Sequence, residues 1–127
     1  MIVDQKDGQI ICTTFGKGRQ HDFNLFKKSK IHLGPSLLLL ADSGYQGIQK
    51  LLKNSVLPIK STKLKPLTKS EKQENTELSA VRIKVENALA FIKRFKIFST
   101  RYRNRRRRFG LRFNLFAAIC NLEISLL

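Results

Sequence analysis

The chain has 127 residues, and its 25 Lys and Arg residues against 9 Asp and Glu residues give a formal net charge of +16. Hydrophobic residues make up 42% of it, which is enough for one modest domain with its own core. The longest apolar run, residues 115–120, is too short to span a bilayer, and no signal-peptide pattern opens the chain. A membrane partner is therefore disfavoured. Nucleic acid is the expected partner, because Lys and Arg bind phosphates and release counterions.

A hairpin and a short helix are predicted at the start of the chain. Residues 1–4 and 9–15 have strand patterns, and the turn between them contains Asp7-Gly8, a pair that favours a tight hairpin. The first strand is so short that we expect the chain to begin inside a fold. Asp22 follows a glycine-containing loop and is placed to cap a helix over residues 23–28.

The middle of the chain contains an unbroken apolar run at residues 37–41, bounded by Pro35 and Gly44. Such a run is typical of a strand buried on both faces. The further expected elements are a helix over 46–53, a strand over 55–59, a mobile lysine-rich loop over 60–75, a long helix over 75–96, an Arg-rich segment over 101–108 and a largely apolar helix over 111–126.

The element order β-β-α-β-α-β-α predicts an α/β fold in which helices flank a mixed sheet. We expect a single domain, with residues 1–97 as its core and residues 98–127 as an Arg-rich segment and final helix. Cys12 and Cys120 are lone cysteines in apolar segments, which predicts buried reduced thiols and a cytosolic setting. His21 and His32 have no partners at metal-ligand spacing, so a zinc site is disfavoured and His21 is interpreted as a structural loop residue.

The predicted long helix places Arg82, Glu86 and Lys93 on one stripe, because their offsets are close to whole helical turns. An apolar stripe lies beside it and consists of Leu78, Val81, Val85, Leu89 and Ile92. One interpretation is a metal-binding carboxylate among phosphate-binding cations. The other is an ordinary surface helix, in which Arg82 and Glu86 form an i,i+4 ion pair. The helix alone favours the second interpretation.

Asp42 follows the predicted buried strand, at the edge of a sheet where ligands tend to bind. It could also simply cap the next helix, because Asp-Ser-Gly-Tyr is a good turn sequence. Taken together, Asp42 and Glu86 could bind one divalent cation. Mg²⁺ favours oxygen ligands and uses one or two protein carboxylates besides water and phosphates.

Three motifs resemble those of bacterial insertion-sequence transposases of the DDE type, in the insertion-sequence-five group. They are the stretch from Gly18 to His21-Asp22, the strand-end motif Ala41-Asp42-Ser-Gly-Tyr45-Gln-Gly47, and the Arg82…Glu86…Lys93 spacing on the long helix. The ending Phe95-Lys-Ile-Phe, the Arg-rich run and Arg112-Phe-Asn-Leu-Phe are also similar to the family, so the resemblance covers nearly the whole chain as a carboxyl-terminal part. The family's signature tyrosine is replaced by Ser79.

The resemblance implies a ribonuclease-H-like fold and phosphoryl transfer that depends on Mg²⁺ or Mn²⁺. Asp42 and Glu86 would be catalytic and hold metal, and the bound DNA would be transposon ends and target DNA. The residues implied to contact DNA phosphates are Arg82, Lys93, Arg101, Arg103, Arg105, Arg106, Arg107 and Arg108. The family's first catalytic aspartate has no match here, which predicts an incomplete two-metal site and no strand cleavage by the chain alone.

Three hypotheses follow from these observations. The chain is the catalytic part of a transposase, or it is a non-catalytic basic DNA-binding remnant or regulator. A third hypothesis is that the upstream half is supplied separately, through a frameshift or a second reading frame, with gene decay as the alternative. An upstream transposase half or a homo-oligomer is the expected protein partner. The expected location is the bacterial cytoplasm, in association with the nucleoid.

Overall fold

The computed structural model describes residues 1–103 and 106–127, and these form two compact units, Met1–Phe15 with Ile83–Leu127 and Gly16–Arg82. The fold is mixed α/β, as predicted. The elements are β1 (Ile2–Val3), β2 (Ile10–Cys12), α1 (Asp22–Ser29), β3 (Leu39–Leu40), β4 (Ser55–Val56), α2 (Lys69–Lys93), α3 (Lys96–Ser99) and α4 (Phe109–Ser125). No helix in the described ranges is long and apolar enough to cross a membrane.

The predicted hairpin at the start of the chain is confirmed. β1 pairs with β2 in antiparallel register. Gly8 turns the chain at φ 81°, a left-handed conformation that favours glycine. The Asp7 carboxylate accepts a hydrogen bond from the Gln9 backbone N–H at 2.9 Å, which fixes the turn. The second strand is shorter than the predicted residues 9–15.

The strands form two separate pairs in the described residues, instead of the single mixed sheet expected. β1 and β2 belong to one unit, and β3 pairs with β4 in parallel within the other. The prediction of a doubly buried strand over residues 37–41 is wrong. Only Leu39–Leu40 is extended and paired, while Leu37 and Leu38 are 55% and 64% exposed.

The predicted helix over residues 46–53 is also wrong. A 3₁₀ turn at Ser43–Tyr45 precedes this range, and a second 3₁₀ turn at Ile48–Lys50 lies within it. Gly47 lies between them at φ 91°, a backbone angle that cannot continue a right-handed helix. The fully buried Ile48 side chain anchors the second turn.

The core of the first unit forms where α2 and α4 pack with β2. Its buried residues are Ile10, Ala88, Ile92, Ala117 and Cys120. The Asn121 amide on α4 makes two hydrogen bonds to the backbone of Ile10, accepting from its N–H at 2.8 Å and donating to its carbonyl at 2.9 Å. Cys120 is fully buried, as predicted, whereas Cys12 is only half-buried; both thiols are free.

α2 begins at Lys69, six residues earlier than the predicted start at residue 75, so part of the expected mobile loop is helical. The reason is a capping box. The Thr68 hydroxyl accepts from the Glu71 N–H at 3.2 Å, and the Glu71 carboxylate accepts from the Thr68 N–H at 2.8 Å. The bond from the Thr68 N–H to the carboxylate is the main reason that the pKa of Glu71 is lowered. Asn75 then bonds to the N–H and carbonyl of Ile59, which ties the preceding segment to the helix.

We expect Thr68→Ala to lower the free energy of unfolding by about 1 kcal/mol, the usual loss when a helix N-cap hydroxyl is removed. Urea denaturation at neutral pH measures the change. Thr76→Ala is the matched control, because that hydroxyl only donates to the Lys72 carbonyl inside the helix. Its removal should be neutral or slightly stabilising. Equal destabilisation by both variants would contradict the role of the cap.

Candidate active site

Asp42 follows β3 and begins the 3₁₀ turn Ser43–Tyr45, so its predicted capping role is confirmed in part. Its Oδ1 accepts a hydrogen bond from the Ser43 N–H at 2.6 Å. The cap belongs to a 3₁₀ turn instead of the helix expected there. The carboxylate is also 51% exposed, so it remains accessible to a ligand.

Arg82 on α2 is paired with Asp42, and not with Glu86 as the surface-helix interpretation expected. Its Nη1 lies 3.2 Å from Asp42 Oδ1. The hydrogen bond from Ser43 and the contact with Arg82 both fall on Oδ1 of this carboxylate. A half-exposed pair of this kind stabilises a fold by up to about 1 kcal/mol. Its importance is that it brings together residues from two sequence motifs.

Tyr45 connects this loop to α1. Its ring packs edge-on against Phe23 and Phe26, with centroid distances of 5.9 and 6.1 Å. Burial raises the pKa of the Tyr45 hydroxyl, and the negative charges of Asp22 and Asp42 raise it further. The hydroxyl is therefore protonated at neutral pH and can donate a hydrogen bond.

The other predicted site residues are exposed. Glu86 and Lys93 are exposed on α2, with Glu86 one turn beyond Arg82. Asp42 and Glu86 belong to different units, so their convergence stays a prediction. The exposed arginines that follow are Arg101, Arg103, Arg106, Arg107 and Arg108. Arg105, which was predicted with them, lies outside the described residues.

The donor types present suit a hard cation. Over residues 1–103 and 106–127, no group of three or more His, Cys, Asp or Glu side chains is clustered to hold a metal. The two carboxylates predicted as ligands, Asp42 and Glu86, are both exposed. Oxygen donors of this kind fit Mg²⁺ better than Zn²⁺.

Sequence reasoning missed the role of His21. The predicted cap of α1 was Asp22, but His21 is the N-cap, and its Nδ1 accepts a long hydrogen bond, 3.4 Å, from the Phe23 N–H. Histidine is not among the residues that usually cap helices, so the sequence carried no clear signal. His21 also lines an open cleft of about 480 Å³ beside α1, the α1 cleft.

Comparison with known proteins agrees with these motifs. Residues 1–121 match the family model of the DDE superfamily endonucleases. The chain therefore belongs to the DDE superfamily endonucleases. Over 126 residues it is 51% identical to the probable transposase for insertion sequence element IS702 of Microchaete diplosiphon. That match covers 99% of this chain and 46% of the relative, so the chain spans about half the relative's length. No solved structure matches the chain.

Asp42→Asn should lower the pKa of Tyr45, because it removes one of the two negative charges that oppose formation of the tyrosinate. The shift should be partial, since burial is the larger cause. Ultraviolet absorbance of tyrosinate, measured in a Tyr102→Phe background, isolates Tyr45. Asp7→Asn, in the hairpin turn of the other unit, is the control. An unchanged Tyr45 titration in Asp42→Asn would contradict the placement of this carboxylate beside the ring.

Proposed function

We propose that the chain is part of a transposase catalytic domain of ribonuclease-H-like fold, which cleaves and joins DNA strands at the ends of an insertion sequence. The observation that carries the proposal is the ion pair between Arg82 and Asp42. It unites the strand-end aspartate motif with the long-helix motif, the two motifs most directly connected to the family's chemistry. Family membership supports the same reaction class.

In this proposal Asp42 and Glu86 are catalytic carboxylates that hold the divalent metal, Mg²⁺ or Mn²⁺. Asp42 is suited to this role because its carboxylate is half-exposed and is fixed at Oδ1 by Ser43 and Arg82. When bound, such ions activate the attacking oxygen and stabilise the leaving oxygen of a phosphodiester. Arg82 orients the Asp42 carboxylate and offers its remaining N–H groups to a DNA phosphate.

The exposed cations that follow Glu86 bind the DNA backbone in this proposal. Lys93 lies at the end of α2, and Arg101, Arg103 and Arg106–Arg108 follow it. Arg105 belongs to the same proposed set. Phosphate contacts of this kind fix the position of DNA without reading its sequence. The transposon ends and the target DNA are the proposed nucleic-acid partners, and an upstream transposase half or a second copy of the chain is the proposed protein partner.

We expect Mn²⁺, used as a paramagnetic probe, to broaden the backbone amide signals of both Ser43 and Glu86 with the same concentration dependence. Both effects should disappear in Asp42→Asn if the two carboxylates share one ion. Asp7→Asn controls for non-specific attraction of the cation to an exposed acid. Broadening at only one of the two positions would overturn the shared metal site.

We expect duplex DNA to bind with an affinity that falls steeply and linearly with salt on logarithmic axes. We expect no nicking of a duplex by residues 1–127 alone, since the third carboxylate implied by the family resemblance is unmatched in them. Fluorescence anisotropy measures the first outcome, and gel analysis with Mg²⁺ measures the second. An affinity that does not change with salt concentration would contradict the DNA-binding role. Mg²⁺-dependent nicking that Asp42→Asn abolishes would show that these residues suffice for catalysis.

A second candidate function is non-catalytic DNA binding, as a remnant or a regulator that competes with the intact enzyme. The exposed 3₁₀ turn Arg106–Arg108 favours it, because a basic surface binds phosphates without any metal. This function predicts that Asp42→Ala binds DNA as tightly as the unmodified chain, with or without Mg²⁺. The catalytic function predicts that Mg²⁺ tightens binding only while Asp42 is present.

A further inference from the structure

The α1 cleft is lined by Arg19, Gln20, His21, Asn24, Lys27 and Lys28. Three of these side chains are cationic and the others are neutral hydrogen-bonding groups or imidazole. Within the described part of the chain, no carboxylate lines the cleft. A cleft of about 480 Å³ with this lining suits a phosphate group of a larger ligand.

Three of the residues that line the cleft lie on one face of α1. His21, Asn24 and Lys28 follow one another at helical spacing, so they share one face of the helix. Phe23 and Phe26 pack against Tyr45, and the Lys27 ammonium lies over the Phe23 ring, 4.7 Å from its centroid. Asp22 does not line the cleft.

The loop before α1 contributes Arg19 and Gln20 to the lining of the cleft, and Gly16 packs closely against Gln20 and Leu25. A Cβ atom at Gly16 would lie 2.6 Å from Leu25 Cδ1 and 2.8 Å from Gln20 Oε1. Both distances are too short for a side chain to fit without a shift of its neighbours. A backbone hydrogen bond from the Gln20 N–H to the Lys17 carbonyl, at 2.8 Å, completes the turn.

His21 connects the cleft to the loop that carries Asp42. Its Nδ1 accepts from the Phe23 N–H, which assigns the proton of the neutral ring to Nε2. A side chain added at Gly44 would come within 3.9 Å of His21 Cε1, so the imidazole borders the turn that begins at Asp42. A phosphate in the cleft would therefore lie on the same side of α1 as the imidazole donor and next to this turn.

We infer that the α1 cleft binds a backbone phosphate of DNA, with Arg19, Lys27 and Lys28 supplying the charge and His21 Nε2–H a hydrogen bond. This inference rests on the proposed function, because it assigns a second point of DNA contact to the same enzyme. The cleft is a DNA contact in the unit that contains Asp42, and it is additional to the contacts proposed for the arginines that follow Lys93. The DNA would be held on the aspartate side of the site as well as along the Arg-rich segment.

The test compares two double variants that remove the same charge. Lys27→Gln with Lys28→Gln changes the cleft, and Lys60→Gln with Lys63→Gln changes exposed lysines of the same unit outside it. Binding of a fluorescein-labelled duplex is measured by anisotropy across a salt series. The cleft variant should bind about tenfold more weakly than the control variant, with a salt slope shallower by about one for each phosphate that the variant no longer neutralises. Arg19→Gln, outside the helix, should weaken binding in the same direction.

Nuclear magnetic resonance of the two histidines gives an independent readout that does not depend on a variant folding. The His21 ring signals should move when the duplex is added, while those of His32, which does not line the cleft, should stay fixed. Inorganic phosphate at the same concentration should leave both unchanged. Movement with inorganic phosphate alone would replace DNA by a free anion as the ligand.

The outcomes separate the inference from the proposed function. If the unmodified chain does not bind the duplex, the proposed function and the cleft assignment both fail. If it binds and the two double variants bind equally, with the His21 signals unmoved, only the cleft assignment is overturned. Weaker binding by the cleft variant together with a His21-specific response establishes the contact.

Discussion

Hydrogen bonds from asparagine side chains to backbone hold together segments whose strands are too short to do so alone. Strands of two or three residues form few ladder bonds, and the remaining backbone groups must find other partners. Asn121 bonds to both backbone groups of Ile10 in one unit, and Asn75 does the same for Ile59 in the other. Each amide acts in the place of a neighbouring strand, and each joins an extended segment to a helix.

These asparagine hydrogen bonds also determine which extended segment packs against which helix in each unit. Asn121 is on α4 next to the buried Ala117 and Cys120, so its bonds to Ile10 bring β2 against the helix core. Asn75 is on the first half of α2 and fixes residue 59, in the segment that follows β4. The second half of α2 contributes Ala88 and Ile92 to the core of the other unit. One continuous helix thus serves both units.

Local signals in the sequence predicted local structure well. Asp7-Gly8 located the hairpin, and the apolar stripe located α2, whose Ile92 is almost fully buried. The start of α2 was misplaced although Thr68 and Glu71 have capping-box spacing, a signal that the sequence did contain. The prediction of a buried strand over residues 37–41 failed at Leu37 and Leu38 for a physical reason. An apolar run does not show whether neighbouring elements will cover it.

The candidate site was predictable as a set of residues but not as a geometry. Asp42 and Arg82 were both expected from motifs, yet their pairing is a long-range contact that no helical spacing implies, and the spacing favoured Glu86 instead. His21 was dismissed as a loop residue because neither its capping bond nor its place in a cleft follows from sequence periodicity. The chemistry of this chain therefore depends on contacts between segments that a linear pattern cannot pair.

The burial of Cys120 has a consequence for chemical reactivity. Burial raises the pKa of its thiol, so little thiolate is present near neutral pH, and the core excludes reagents from it. Cys12 on β2 is half-buried and within reach of solvent. In the folded chain Cys12 is therefore the more accessible thiol, and Cys120 becomes accessible to reagents only after unfolding. A maleimide would attach to β2 while the fold is intact, and a second equivalent would report the opening of the core between α2 and α4.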